Sequence, residues 1–239
     1  MELPAACLFD LDGLLLDTEP LHGQAWQQAA SHFGRSLSAA ELLSLRGRTR
    51  LDCAAQVRAW LAESLGEPAA VPSIAALLAV RQPIAEALLV QARPIPGAPE
   101  LLSWCERQGL PMALATSSSR SAVDLKTAPH GWLQRIRVRV HGDDPALRRG
   151  KPAPDVFLLA AERLGVNPHD CWAFEDSPAG AQAALAAHCR VHVLPPDHLE
   201  AADLPQIYPG VTLFLSSLSA LVDRLELESP GAVRFSTGG

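Results

Sequence analysis

The chain has 239 residues, 48% of them hydrophobic, and carries 26 acidic against 20 basic side chains, for a formal charge of -6. That size and apolar content suffice for one large domain or for one domain carrying a smaller second one, while the acidic balance and the lack of a basic tract exclude nucleic acid and anionic membrane as expected partners. No apolar stretch runs to the ~18 residues of a membrane span, and the first strand is reached without a charged leader, so the expected location is the cytoplasm.

Residues 5–9 form a short apolar run that predicts a buried strand ending at Asp10. Beyond the turn "DGLLLDTEP", Asp17 or Thr18 can cap a helix and Pro20 suits its first turn. The pattern then stays helical through "LHGQAWQQAASHF", "TRLDCAAQVRAWLAESLG" and "SIAALLAVRQPIAEALLVQA", with breaks at Gly34, Gly66 and Pro72. The segment "RPIPGAPE" ends this region. After it, helices alternate with short apolar strands: helix 98–108, strand 111–116, helix 119–127, strand 136–141, helix 154–164, strand 171–175, helix 178–187, strands 190–194 and 211–215, and a closing helix. The predicted fold class is α/β, a Rossmann-like parallel sheet core (1–17 and 93–239) with an inserted helical domain (18–92). The tail "ESPGAVRFSTGG" reads as frayed.

In open α/β sheets, ligands sit beyond the carboxyl ends of the strands. Those positions hold Asp10 and Asp12, then Thr116 with Ser117, Ser118 and Ser119, then Glu175 and Asp176, while "RGKPAPD" brings Lys151 ahead of a helix. Carboxylates gathered in one place raise one another's pKa unless a cation compensates them. Mg²⁺ suits such a set, since it takes one or two carboxylates together with substrate phosphate, and these turns lack the His and Cys that zinc prefers. Lys151 and Thr116 would bind an anion's remaining oxygens. The implied chemistry is phosphoryl transfer. Taken singly, Asp12-Gly13 also reads as a plain turn and Asp176-Ser177 as a helix cap.

Lys126 and Lys151 are the only lysines among the 20 basic residues. A lysine kept against so strong an arginine bias hints at a site needing a compact point charge. The five cysteines are dispersed and read as small buried apolar residues.

Four segments, "DLDGLLLDTE", "LATSS", "GKPAPDVF" and "FEDSPAG", in this order and after these strands, resemble the signature motifs of the haloacid dehalogenase-like hydrolase superfamily, in the subclass with a helical cap. The resemblance implies that Asp10 attacks phosphorus and that Asp12 is the general acid and then the base. It implies Mg²⁺ held by the Asp10 carboxylate, the Asp12 backbone carbonyl and the Asp176 carboxylate, with Glu175 in or next to that set. Thr116 and the Ser117 amide would bind phosphoryl oxygens, and Lys151 would bridge phosphate and Asp10. The second acid at position 12 favours phosphate esters over dehalogenation, so the expected partner is a small phosphorylated metabolite and the expected state a monomer.

Within the cap, the same resemblance points to His22 and to the loop "LRGRTR" with Arg46, Arg48 and Arg50, of which His22 and Arg50 are the expected substrate contacts. The lysine that the superfamily's β-phosphoglucomutases carry in the cap falls near Gln82, with Arg81 as its one nearby substitute. "VDLKTAPH" and "GDDPALRRGKPAPDVF" are closer to the superfamily's pseudouridine-5'-phosphatases and flavin mononucleotide hydrolases, which draws attention to Lys126 and His130. Lys126 alternatively reads as a helix-dipole partner. His188 stands where the superfamily has glycine, so a strained left-handed residue is expected there.

Overall fold

The structure, a computed structural model, describes residues 3–46, 48, 50–65 and 71–228. The chain divides into two compact units, with the breaks at Leu16/Asp17 and Arg93/Pro94. The expected break at Gly66 and the tail beyond Glu228 lie outside the described residues, as do Gly47 and Thr49 of the arginine loop.

The first unit is built on a six-stranded parallel sheet of β1 (Ala6–Phe9), β4 (Met112–Ala115), β5 (Val138–Val140), β6 (Cys171–Glu175), β7 (Arg190–Val193) and β8 (Leu213–Phe214), in the order β5-β4-β1-β6-β7-β8. Two short strands, β2 (Leu16–Asp17) and β3 (Arg93–Pro94), pair separately where the chain passes between units. All of β1, β4 and β6 is buried, as near-continuous apolar runs in a parallel sheet require. Helix α7 (Asp155–Leu164) packs on β1, β4 and β5, and α8 (Pro178–Ala186) on β6 and β7. Their small residues, Ala160, Ala161, Ala181, Ala183 and Ala184, join Leu8, Ala113, Val140 and Ala173 in one core. Helix α5 (Ala98–Arg107) packs against α10 (Leu218–Glu228).

Register sets Phe9 opposite Phe174 and Phe174 opposite His192. The three rings stack, with centroids 4.9 Å apart in both pairs. This aromatic row crosses β1, β6 and β7 one residue short of Asp10 and Glu175, so a rigid apolar layer underlies the two carboxylates.

The second unit is helical: α1 (Glu19–His32), α2 (Ala39–Ser44), α3 (Arg50–Leu65) and α4 (Ile74–Leu89). Trp26, Ala29, Ala30, Val57, Leu61 and Leu77 form its core. Pro20 lies in the first turn of α1 as expected, but the expected capping does not occur: Thr18 takes the cap position with a helical ψ of -19° and no side-chain cap bond, and its buried hydroxyl has no hydrogen-bond partner. A cap hydroxyl reaches the next turn from an extended backbone, which Thr18 lacks. Helix α2 shows the opposite case, a complete capping box between Ser38 and Glu41. The described residues contain no helix long and apolar enough to cross a membrane.

The five cysteines are free and buried. His188 follows α8 in the left-handed region at φ 64°, which costs a non-glycine residue about 1 kcal/mol. Its amide donates to Leu185 O at 2.8 Å, closing the helix end, and its ring stacks on His169 at 4.7 Å.

Candidate functional site

The turn after β1 is wound tightly, with Leu15 and Leu16 amides both donating to Leu11 O at 3.0 Å and the Gly13 amide to Leu16 O at 2.8 Å. It presents Asp10 at the strand end, its amide bonded to Phe174 O at 3.0 Å and only 6% of the residue exposed. Gly13 has φ +83°, the left-handed conformation that glycine adopts without steric cost, and Asp176 lies directly against its Cα.

Lys151 reaches this point from the turn before α7. Its Nζ donates to Asp10 Oδ1 at 2.6 Å and to Glu175 Oε1, and lies 5.2 Å from the centre of the Phe157 ring. Glu175, fully buried at the end of β6, accepts on its other oxygen from the Ser177 hydroxyl at 3.1 Å and the Asp176 amide at 3.3 Å. Its carboxyl lies against Gly180, where a Cβ would come within 2.0 Å. Ser177 also caps α8, accepting from the Gly180 amide at 3.0 Å, and the Tyr208 hydroxyl donates to Asp176 O at 2.5 Å. The turn bearing both acids is therefore fixed on both sides.

Carboxylate oxygens of Asp10, Glu175 and Asp176 lie within 4.8 Å of one another. Burial pushes the Asp10 carboxyl up to about 7; the Lys151 ammonium opposes this, while the charges of Glu175 and Asp12 add to it. Burial alone would push Lys151 down, but Asp10 and Glu175 outweigh it and hold the ammonium above its usual range. One ammonium against three acids leaves a surplus of negative charge in a buried place. An all-oxygen donor set with that surplus fits a hard divalent cation.

Beyond β4, the buried Thr116 accepts at its hydroxyl from the Ser118 amide at 3.1 Å, and the exposed Ser117 stands at the loop tip. Gly142 lets a second loop pass close: a Cβ there would lie 2.1 Å from Ser117 O. The adjacent acids hold these loops in place. Asp143 accepts from the Arg120 amide at 2.8 Å at the start of α6 (Arg120–Thr127), and Asp144 pairs with both terminal nitrogens of Arg163 at 2.7 and 2.9 Å.

The Asp12 carboxylate meets Lys126 and Ser118. Lys126 Nζ lies 2.6 and 2.5 Å from its two oxygens, and Ser118 Oγ donates to Oδ2 at 2.7 Å. Lys126 is 2% exposed, and the last turn of α6 aims it inward at Asp12. Ser118 was not singled out from sequence, because nothing local marks one serine of three as the one that faces Asp12. His130 packs edge-on against Trp132, with ring centroids 6.1 Å apart.

In the helical unit, His22 Nδ1 lies 2.8 Å from Arg81 Nη2. Arg81 is buried, 4.8 Å over the Trp26 ring, with Nε unbonded. Arg50 opens α3 and donates to Gln82 Oε1 at 3.4 Å. Arg46 lies in the turn after α2 and Arg48 stands exposed. Sequence alone made Arg81 a mere substitute for an absent lysine, whereas it is a buried cation of this unit.

The fold is a parallel α/β sheet with three acids gathered where β1 and β6 end. Residues 4–188 match the haloacid dehalogenase-like hydrolase family. The chain is similar to a probable pseudouridine-5'-phosphatase of Drosophila melanogaster, 37% identical over 199 residues that cover 81% of this chain and 82% of that protein. It is 32% identical over 195 residues to the bifunctional riboflavin kinase/FMN phosphatase of Arabidopsis thaliana, spanning 81% of its own length but 49% of that protein's. Its structure resembles that of a HAD family hydrolase from Deinococcus radiodurans R1 solved with bound phosphate and sodium, with a TM-score of 0.74, 29% identity, and coverage of 95% of this chain and 97% of that one. The chain belongs to the haloacid dehalogenase-like hydrolase family.

Proposed function

We propose that this protein is a Mg²⁺-dependent phosphoric monoester hydrolase, cleaving a small sugar phosphate or nucleotide-like ester through an aspartyl phosphate on Asp10. The observation that carries the reading is Lys151 held between Asp10 and Glu175, with the oxygens of Asp10, Glu175 and Asp176 within 4.8 Å of one another. Similarity to two phosphatases supports the same chemistry.

In this reading the Asp10 and Asp176 carboxylates and the Asp12 carbonyl hold Mg²⁺, with Glu175 beside them anchoring Lys151. Bound Mg²⁺ supplies charge neutralisation for the phosphoryl oxygens and for the buried carboxylates. Asp10 attacks phosphorus, forming an acyl phosphate as the bond to the ester oxygen breaks, and Asp12 gives that leaving oxygen its proton. Asp12, now the base, takes a proton from a water whose oxygen attacks phosphorus and frees Asp10. Thr116, the Ser117 amide and Lys151 bind the phosphoryl oxygens.

The test is phosphate release from p-nitrophenyl phosphate with Mg²⁺, with EDTA, and by Asp10→Asn. Turnover is expected to vanish in chelator and in the variant, because a carboxamide cannot form the covalent intermediate. Undiminished activity in either overturns the mechanism, and so does a lack of hydrolysis by folded protein with Mg²⁺ across sugar phosphates, nucleotides and flavin nucleotides.

A further inference from the structure

We propose that Lys126, assisted by Ser118, is the positioning residue for the acid-base group Asp12, an inference that rests on the reading of Asp12 given above. Lys126 and Asp12 are 114 positions apart, yet Nζ contacts both carboxylate oxygens and Ser118 Oγ bridges the pair, 2.8 Å from Nζ and 2.7 Å from Oδ2. The lysine side chain is 2% exposed while that of Asp12 is 22% exposed, so the buried member serves the open one. Burying an ammonium carries a desolvation cost and freezes a long side chain. The fold itself gives no reason to accept this: the same helix face is lined by apolar Val123, and an apolar chain would fill the place of Lys126.

A chemical reason exists. A carboxylate that delivers and then removes a proton must present one oxygen along a fixed direction, and a displacement of about 1 Å can cost a hundredfold in rate. Asp12 hangs from a turn, and its side chain, 22% exposed, must be held in one rotamer. The two-point contact with Lys126 and the third contact from Ser118 select one. Because Ser118 also donates its amide to Thr116 Oγ1, the clamp ties the acid-base group to the loop proposed to bind phosphate. Lys126 acts through Asp12.

The experiment compares wild type, Lys126→Met and Asp12→Asn on p-nitrophenyl phosphate and on phenyl phosphate, whose leaving oxygen is more basic and depends more on a donated proton. Lys126→Met is expected to lower kcat/KM, which reports the step that expels the leaving oxygen, about ten- to a hundredfold on phenyl phosphate and several-fold less on p-nitrophenyl phosphate, with inhibition by inorganic phosphate within about twofold of wild type. An equal loss on both esters would mark a structural role and overturn the proposal. Wild-type rates in Lys126→Met beside an inactive Asp12→Asn overturn the clamp alone, whereas a fully active Asp12→Asn overturns the reading of Asp12 and the clamp with it. Should Lys126→Met fail to fold, Ser118→Ala, which keeps the ion pair, decides the matter on the same ester comparison: a larger loss on phenyl phosphate supports the clamp, and no difference between the esters overturns it.

Discussion

Asp176 lies over the bare Cα of Gly13: a Cβ added there would sit 2.0 Å from Asp176 Oδ2, and φ at Gly13 is +83°. The turn after the first strand and the turn after the sixth thus share a space that only glycine leaves open. Gly180 does the same for Glu175, whose carboxyl lies about where a Cβ would stand. Two glycines far apart in sequence allow two neighbouring acids to converge on Asp10.

Gly13→Ala therefore carries two costs. The left-handed backbone costs about 1–2 kcal/mol of stability, and the new methyl displaces the Asp176 carboxylate. Phosphate release is expected to fall at least a hundredfold, with the Mg²⁺ concentration for half-maximal activity raised. Gly109→Ala is the control, since Gly109 has φ +67° with nothing within 4 Å of an added Cβ. It should lose comparable stability by denaturant titration and keep full activity. Equal activity loss in the two variants would mean that backbone strain, not Asp176, is what matters at Gly13.

How much of this was legible beforehand follows from where each signal resides. Strand 171–175 was read to the residue, because a run of apolar side chains buried on all sides announces itself without a partner. Strand 211–215 shrank to Leu213–Phe214, at the sheet edge, where only one neighbour supplies hydrogen bonds. Helix α2 was not anticipated as a separate element, although Ser38 and Glu41 stand at capping-box spacing. The strand-end rule brought Asp10, Glu175 and Lys151 together in expectation, and they are in contact. Lys126 shows where a sequence signal stops. Its scarcity drew attention, but its partner lies 114 residues away, and helical spacing says nothing about what a last-turn side chain meets across the fold.

His192 makes stability depend on pH. Burial pushes its imidazole down to about 4, and its ring stacks on Phe174 with Nδ1 unbonded. An unfolded chain takes up that proton near pH ~6.5, so between there and about 4 the unfolded state binds more protons than the native one and stability falls as pH falls. At about 1.4 kcal/mol per pH unit the loss approaches 3 kcal/mol. His192→Phe keeps a ring beside Phe174 and removes the titration. In urea melts, the stability of this variant relative to wild type should rise as pH is lowered from 7 to 4. A difference that stays constant over that range would show that His192 is protonated as readily in the folded state as in the unfolded one.

Hydrolysis rather than isomerisation is the last expected outcome. A phosphosugar mutase must retain a bisphosphate, turn it round, and keep water from the aspartyl phosphate meanwhile. That task calls for a dedicated cationic clamp in the helical unit. Where the resemblance to mutases asks for a lysine, Gln82 instead bonds Glu86 at 2.9 Å and receives Arg50 at 3.4 Å. The neighbouring Arg81 is committed to His22 at 2.8 Å and to the face of Trp26, so its guanidinium is held by its own unit. With β-glucose 1-phosphate and Mg²⁺, free phosphate should therefore appear with no glucose 6-phosphate above background, measured by a coupled dehydrogenase readout beside phosphate detection on one sample. Glucose 6-phosphate forming faster than free phosphate, and lost in Arg81→Ala, would make Arg81 the clamp after all and the enzyme a mutase, since a buried guanidinium would then have left His22 to hold the second phosphate.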